Sequence, residues 1–369
     1  MSKKFLVRAT VAIASPIVFL ALLDFALVLA NFDYPPVDSP IGFADRDLRF
    51  EGRNMHESVV GQLWRPRPGE KVPWTEDERV NRLSFRGPEL PVEKTPGVLR
   101  LATLGDSSTF GQFVTWEECY SKKTVTKLGE AGVQAEVIDG GVIGFSVRQA
   151  LERYRLQISV FKPDIVVGAF GSILEHLGSI GASDDEVIRR QEFDENKWVQ
   201  QWKRLRRDLR VLHLVAWCAD ELRGGRDQDW KNRRARELWQ TDLKIPIGKP
   251  DWPGQRRVSL AEFEKFILEL RDEVAEDGGK LVLISLPRRE RIEWEAPVLL
   301  EYSKKIKEIG AREGIPVVDG PAAMVASRKD GHTLAEFMHD NVHPSALGHE
   351  YLARALADVV LKMREADVR

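Results

Sequence analysis

From residue 98 onward the chain alternates short apolar runs with amphipathic segments, and no other feature restricts its fold as much. The runs are VLRLATL (98–104), AEVI (135–138), DIVVGAF (164–170), KLVLISL (280–286) and IPVV (315–318). Runs this short and apolar suit strands buried on both faces, which occur in parallel sheets covered by helices. Between them, Val147, Leu151, Tyr154 and Ile158 form one helical stripe, and Leu352, Leu356, Val359, Val360 and Met363 form another. The pattern predicts an α/β fold, a three-layer α/β/α sandwich around a five-stranded parallel sheet. Ligands of such doubly wound sheets bind beyond the carboxyl ends of the strands.

The first strand ends in such a place. LATLGDSSTFG (101–111) runs from strand-like residues into Gly105, Asp106 and Ser107. Gly, Asp and Ser close strands for plain backbone reasons, so alone this is a turn. A serine hydroxyl becomes a nucleophile only when a base takes its proton and a third group orients that base. HDNVHPSALGHEYLA (339–353) holds both: Asp340 and His343, three apart, ahead of the last helix, with Pro344 near its first turn. An Asp-x-x-His turn sets a carboxylate against one imidazole nitrogen and leaves the other free to face a serine. Ser108 is the alternative nucleophile if the turn shifts by one residue; otherwise it serves as a local hydrogen-bonding residue. His339, His343 and His349 are clustered, but their spacing matches no tight ligand motif, so neither metal nor cofactor is expected.

The N-terminus carries a different signal. Lys3, Lys4 and Arg8 precede an apolar run over residues 11–30 broken only by Asp24. A run of this length spans a bilayer, and its basic flank predicts a cytoplasmic N-terminus with the remainder exported. A cleaved signal peptide is the competing expectation, because Val28, Leu29 and Ala30 resemble a cleavage site. Asp24 would then sit near the outer interface or face a partner helix.

Four regions follow: residues 1–30 as anchor or signal segment, 31–97 as linker and irregular lead-in, 98–364 as the main domain, and an insertion at 179–257. In the insertion Trp198, Trp202, Leu205 and Leu209 fall at helical spacing among Lys203, Arg204, Arg206 and Arg207. That suits an amphipathic helix with a solvated basic face, or else a cap over the site, or a surface that meets anionic lipid or polysaccharide. A net charge of −2 with 30% charged residues gives no field that favours nucleic acid. Cys119 and Cys218 are the two cysteines; one bridge or two separate thiols both fit.

Gly105-Asp106-Ser107 after the first strand, with Asp340-x-x-His343 before the last helix, resembles the GDSL/SGNH hydrolase superfamily. The likeness covers residues 98 to 364 around the insertion, and NRLSFRGPEL (81–90) resembles the lead-in of membrane-anchored bacterial members. It implies a flavodoxin-like three-layer fold and hydrolysis of esters, including acyl esters on carbohydrates and lipids. Ser107 would be the nucleophile, His343 the base, Asp340 the orienting acid, and the Ser107 N–H the first oxyanion donor. IDGGVIGFS (138–146) resembles the block that supplies the second donor, at Gly144, with Asp139 where asparagine is common. The third donor is an asparagine after the third strand, where this chain reads GAFGSILEH (168–176) and places Ile173. Ser172, Glu175 or His176 would have to substitute. The expectation is thus a membrane-anchored esterase or acyl transferase, periplasmic or extracellular, acting on an ester-bearing carbohydrate or lipid. The alternative is a catalytically degraded binding or scaffolding protein of the cell envelope.

Overall fold

A computed structural model describes residues 3–30, 32, 49–50, 53–171, 183–193, 205, 209–222, 256–289 and 297–368. The elements begin with α1 (Lys3–Leu29), β1 (Arg49–Phe50), β2 (Arg53–Asn54), β3 (His56–Val59) and β4 (Leu63–Pro66). Next come β5 (Leu99–Gly105), α2 (Ser107–Phe110), α3 (Tyr120–Glu130), β6 (Ala135–Asp139), α4 (Val147–Arg153) and β7 (Ile165–Phe170). The insertion region contributes α5 (Asp184–Phe193) and α6 (Arg210–Glu221). The chain closes with α7 (Leu260–Glu276), β8 (Lys280–Ser285), α8 (Val298–Glu313), β9 (Val317–Asp319), α9 (Gly320–Lys329), α10 (Leu334–Phe337) and α11 (Ala346–Val368).

Five strands form one parallel sheet in the order β6-β5-β7-β8-β9. The central strand β7 is buried along its whole length, as its sequence IVVGAF requires between two covered faces. Alternate residues feed opposite layers, the period-two rule of a strand. Ala102, Leu104, Val166, Leu281 and Leu283 pack with apolar side chains of α4, α7 and α8. Leu101, Val137, Val167, Val282 and Ile284 pack with those of α3 and α11. The expected α/β sheet with helices on both faces is present. The strand order reverses direction between β5 and β7, and the carboxyl end of β5 therefore opens on a crevice.

Residues 53–97 have little regular structure but cover this end of the sheet. Trp64 of β4 is buried with Val142 and Phe145, and Met55, Val72 and Val80 pack with Phe110 and Ile143. Arg86 is buried and donates to the carbonyls of Phe110, Gly111 and Val114. Three carbonyls after a short helix are thereby satisfied by one guanidinium.

The chain divides into two compact units, residues 1–40 with 190–238 and residues 41–189 with 239–369. In the first unit, the Asp24 carboxylate accepts a 2.8 Å hydrogen bond from the Val211 N–H at the start of α6. Asp24 thus meets the start of α6. Phe32 meets Trp217 of α6 edge-on, with ring centres 6.5 Å apart. Among the described residues no helix is long and apolar enough to cross a membrane, so the expected span over 11–30 is not shown. The side chains of residues 3, 4, 6–13 and 17 of α1 lie outside the described set. So do Trp198, Trp202, Lys203, Arg204, Arg206 and Arg207, the core of the expected basic helix. Cys119 and Cys218 are both free thiols, Cys119 buried and Cys218 exposed.

Candidate active site

Ser107 occupies the first turn of α2, immediately beyond β5. Asp106 caps that turn, its carboxylate accepting from the Ser108 N–H at 2.8 Å. Gly105 must be glycine, because a Cβ there would strike the Thr109 hydroxyl and the Ala169 carbonyl of the neighbouring strand. Gly111, in left-handed backbone, ends the helix after one turn.

The turn before α11 meets this serine. His343 Nε2 lies 2.8 Å from Ser107 Oγ, and His343 Nδ1 lies 2.7 Å from Asp340 Oδ2. The second Asp340 oxygen accepts from the backbone N–H groups of Val342 and His343, each at 2.8 Å. Burial works against the Asp340 charge, but the His343 bond and the two amides outweigh it and hold the carboxyl below its usual range. An ionised Asp340 accepts the Nδ1 proton, leaving Nε2 to accept from the serine hydroxyl. The structure brings Ser107, His343 and Asp340 together in that order.

The other expected residues take distinct places. Ser108 donates its hydroxyl to the Val342 carbonyl at 3.3 Å and so braces the His343 turn. His349 is buried, accepts the Tyr120 N–H at 3.0 Å and stacks on the Tyr120 ring. Burial, then the charges of Arg86 and Lys123, push its pKa down to about 3, which keeps it a neutral packing group. His339 is exposed and stacks on Phe113 at 4.3 Å, while Phe113 meets the His343 ring edge-on at 5.4 Å. Phe113 has φ of 73°, a strained conformation for a bulky residue. Among the described residues no group of three His, Cys, Asp or Glu side chains is placed to hold a metal ion.

The loop after β6 forms the other wall. Asp139, at the end of β6, accepts from Ser121 Oγ at 2.7 Å and from the Gly141 N–H at 3.0 Å. Complete burial pushes its carboxyl up to about 6, against those bonds. The Val142 N–H donates to the Gly105 carbonyl at 3.0 Å, which ties this loop to the residue before Asp106. A Cβ on Gly141 would strike the backbone of Phe110. Gly144 has φ of 83°, in the region that favours glycine. Neither the Ser107 N–H nor the Gly144 N–H has a hydrogen-bond partner among the described residues. Free amides in so buried a setting are uncommon and are what an anion-accepting site requires. Ile173, Ser172, Glu175 and His176 lie outside the described residues.

Sequence reasoning missed three supporting side chains. Arg288, just past β8, donates to the Gly171 carbonyl at 3.0 Å and to the Val342 carbonyl at 3.3 Å. It joins the end of β7 to the turn that carries His343. Trp64 and Arg257 reach the loop around Gly144 from distant parts of the chain. The signal available for Arg288 was PRRE directly after a strand; nothing local marked the other two.

No family model and no curated protein matches this chain. Solved structures that it is similar to include an acetylxylan esterase from Geobacillus stearothermophilus, at 17% identity and TM-score 0.43, over 71% of this chain and 94% of that one. Another is a lipase/acylhydrolase from Enterococcus faecalis, at 17% identity and TM-score 0.44, over 72% and 97% respectively. A third is an alpha/beta hydrolase enzyme from the metagenome of Lake Arreo, Spain, at 17% identity and TM-score 0.43, over 71% and 94%.

Proposed function

We propose that the protein is a serine hydrolase or acyl transferase acting on ester bonds. The observation that carries this is the continuous hydrogen-bonded relay from Ser107 through His343 to Asp340, at 2.8 and 2.7 Å. Ser107 Oγ attacks the ester carbonyl carbon while His343 Nε2 takes its proton, and Asp340 stabilises the imidazolium. The Ser107 and Gly144 amides hold the oxyanion. His343 then returns the proton to the departing alcohol, and water or a second hydroxyl releases the acyl group from Ser107. Cleavage of 4-nitrophenyl acetate and labelling by a fluorophosphonate test this directly. Both are expected of the wild type and lost in Ser107→Ala; a folded wild type showing neither overturns the proposal.

The substrate class proposed is an acyl or acetyl ester of a carbohydrate or lipid, on the outer side of a membrane that holds the N-terminal segment. The location rests on the basic flank and the apolar run over residues 11–30, and the substrate class on the resemblance to GDSL/SGNH hydrolases. Membrane fractionation of the full chain and of a form lacking residues 1–30 tests it, with only the full chain expected to sediment with membranes.

A second reading rests on Ile173. An isoleucine side chain donates no hydrogen bond, and loss of one oxyanion donor costs about 10²–10³ in rate. On that reading the fold is a binding or scaffolding protein at the cell envelope, and Ser107→Ala leaves the biological role intact.

A further inference from the structure

The relay is held largely by its own turns, with Ser108 and Arg288 bracing the His343 turn, whereas the Gly144 amide is aimed by side chains from elsewhere. In a trans peptide the C=O and N–H share one plane and point in opposite directions, so a group that holds the carbonyl also aims the amide. The peptide whose N–H belongs to Gly144 carries the Ile143 carbonyl. That carbonyl accepts a 3.0 Å hydrogen bond from Trp64 Nε1. The following peptide plane is held too, because the Gly144 carbonyl accepts from Arg257 Nη1 at 2.9 Å.

These two holders support each other. The Arg257 guanidinium lies over the Trp64 ring, 5.5 Å from its centre, and both side chains are buried. Arg257 is fixed in turn by Asp184, with Nε and Nη2 at 2.9 and 2.8 Å from its two oxygens. Asp184 also accepts from Ser146 Oγ at 2.6 Å, two residues beyond Gly144. A buried ion pair is weak evidence for stability, since its desolvation offsets its attraction. Here the guanidinium of that pair also donates to the loop that carries Gly144, whose amide has no partner among the described residues.

We infer that Trp64 and Arg257 are positioning residues that lock the peptide planes on either side of Gly144 and aim its N–H at the oxyanion. Donation to the Ile143 carbonyl also polarises the same peptide and strengthens the amide as a donor. This rests on the esterase reading, in which Gly144 supplies an oxyanion donor.

The test uses the full chain and two variants. Trp64→Phe keeps an aromatic ring and removes only the N–H; Arg257→Met with Asp184→Leu removes both buried charges together, which spares the fold an unpaired ion. With 4-nitrophenyl acetate, kcat is expected to fall about 10- to 100-fold in each while KM changes less than about twofold. A purely structural role would lower the melting temperature without that split. Unchanged kcat in folded variants overturns the inference. Wild-type turnover that Ser107→Ala abolishes checks the esterase reading separately. Hydrogen exchange of the amides of residues 140–146 needs no turnover. It is expected to speed up in both variants, and unaltered exchange overturns the inference even if the wild type cleaves nothing.

Discussion

The two walls of the site are built differently. On the relay side most contacts are local: Asp106 caps its own helix, and Asp340 binds the amides two and three residues on. The long-range contacts there, Ser107 with His343 and Ser108 and Arg288 with the Val342 carbonyl, join turns that are already formed. On the amide side the Gly144 loop is set by Trp64, Arg257 and Asp184, none of them near it in sequence. Local turns keep their geometry through small changes elsewhere. A backbone amide aimed by distant side chains depends on the packing of the whole unit. Damage to the relay should therefore remove chemistry cleanly, and damage to the amide side should degrade it in steps.

The largest effect expected is on the relay. Ser107→Ala should lower kcat for 4-nitrophenyl acetate by about 10⁴-fold or more with little change in melting temperature. Asp340→Asn should follow at about 10³- to 10⁴-fold, because the amide side chain favours the wrong imidazole tautomer. Rates measured across pH should show no recovery for this variant; recovery at any pH would mean that the carboxylate does not orient His343.

On the amide side, Gly144→Ala places a side chain at φ of 83° and should shift the amide off target. The expected loss is about 10²- to 10³-fold in kcat, comparable to removing one oxyanion donor. A loss as deep as that of Ser107→Ala would break the contrast between the walls.

The smallest effect concerns Asp139, whose carboxyl burial pushes up to about 6 at the base of the same loop. Folded, it keeps its proton up to that pH; unfolded, only to about 4. The folded state thus binds more protons between about pH 4 and 6, and stability falls as pH rises through that window. Asp139→Asn should remove this decline, worth about 2–3 kcal/mol, in urea melts at pH 4 and pH 7. Equal slopes with pH in the two proteins would show that Asp139 ionises at its ordinary pKa.

Much of the relay side was legible because its signals are short. Gly-Asp-Ser at a strand end and Asp-x-x-His before a helix each specify a turn within a few residues, and the strand pattern says which sheet end they share. The β7 and β8 strands were legible from apolar runs alone, since a fully covered strand needs nothing else. The role of His349 was not, since a buried neutral histidine reads the same in sequence as a reactive one; Ser108 is the hydrogen-bonding residue expected, but its partner is the distant Val342 carbonyl. Phe113 was invisible for a related reason, because positive φ in a phenylalanine is imposed by its surroundings and carries no composition signal.

The sequence by itself determined the layer architecture, the strand ends and which serine, histidine and aspartate are able to meet, because periodicity and turn chemistry act over a few residues. Only the tertiary structure decided that Asp24 binds the start of α6 and that Trp64 and Arg257 hold the peptides beside Gly144. Those choices depend on which carbonyl or amide a distant side chain finds unpaired once the chain is packed, and no local pattern encodes that.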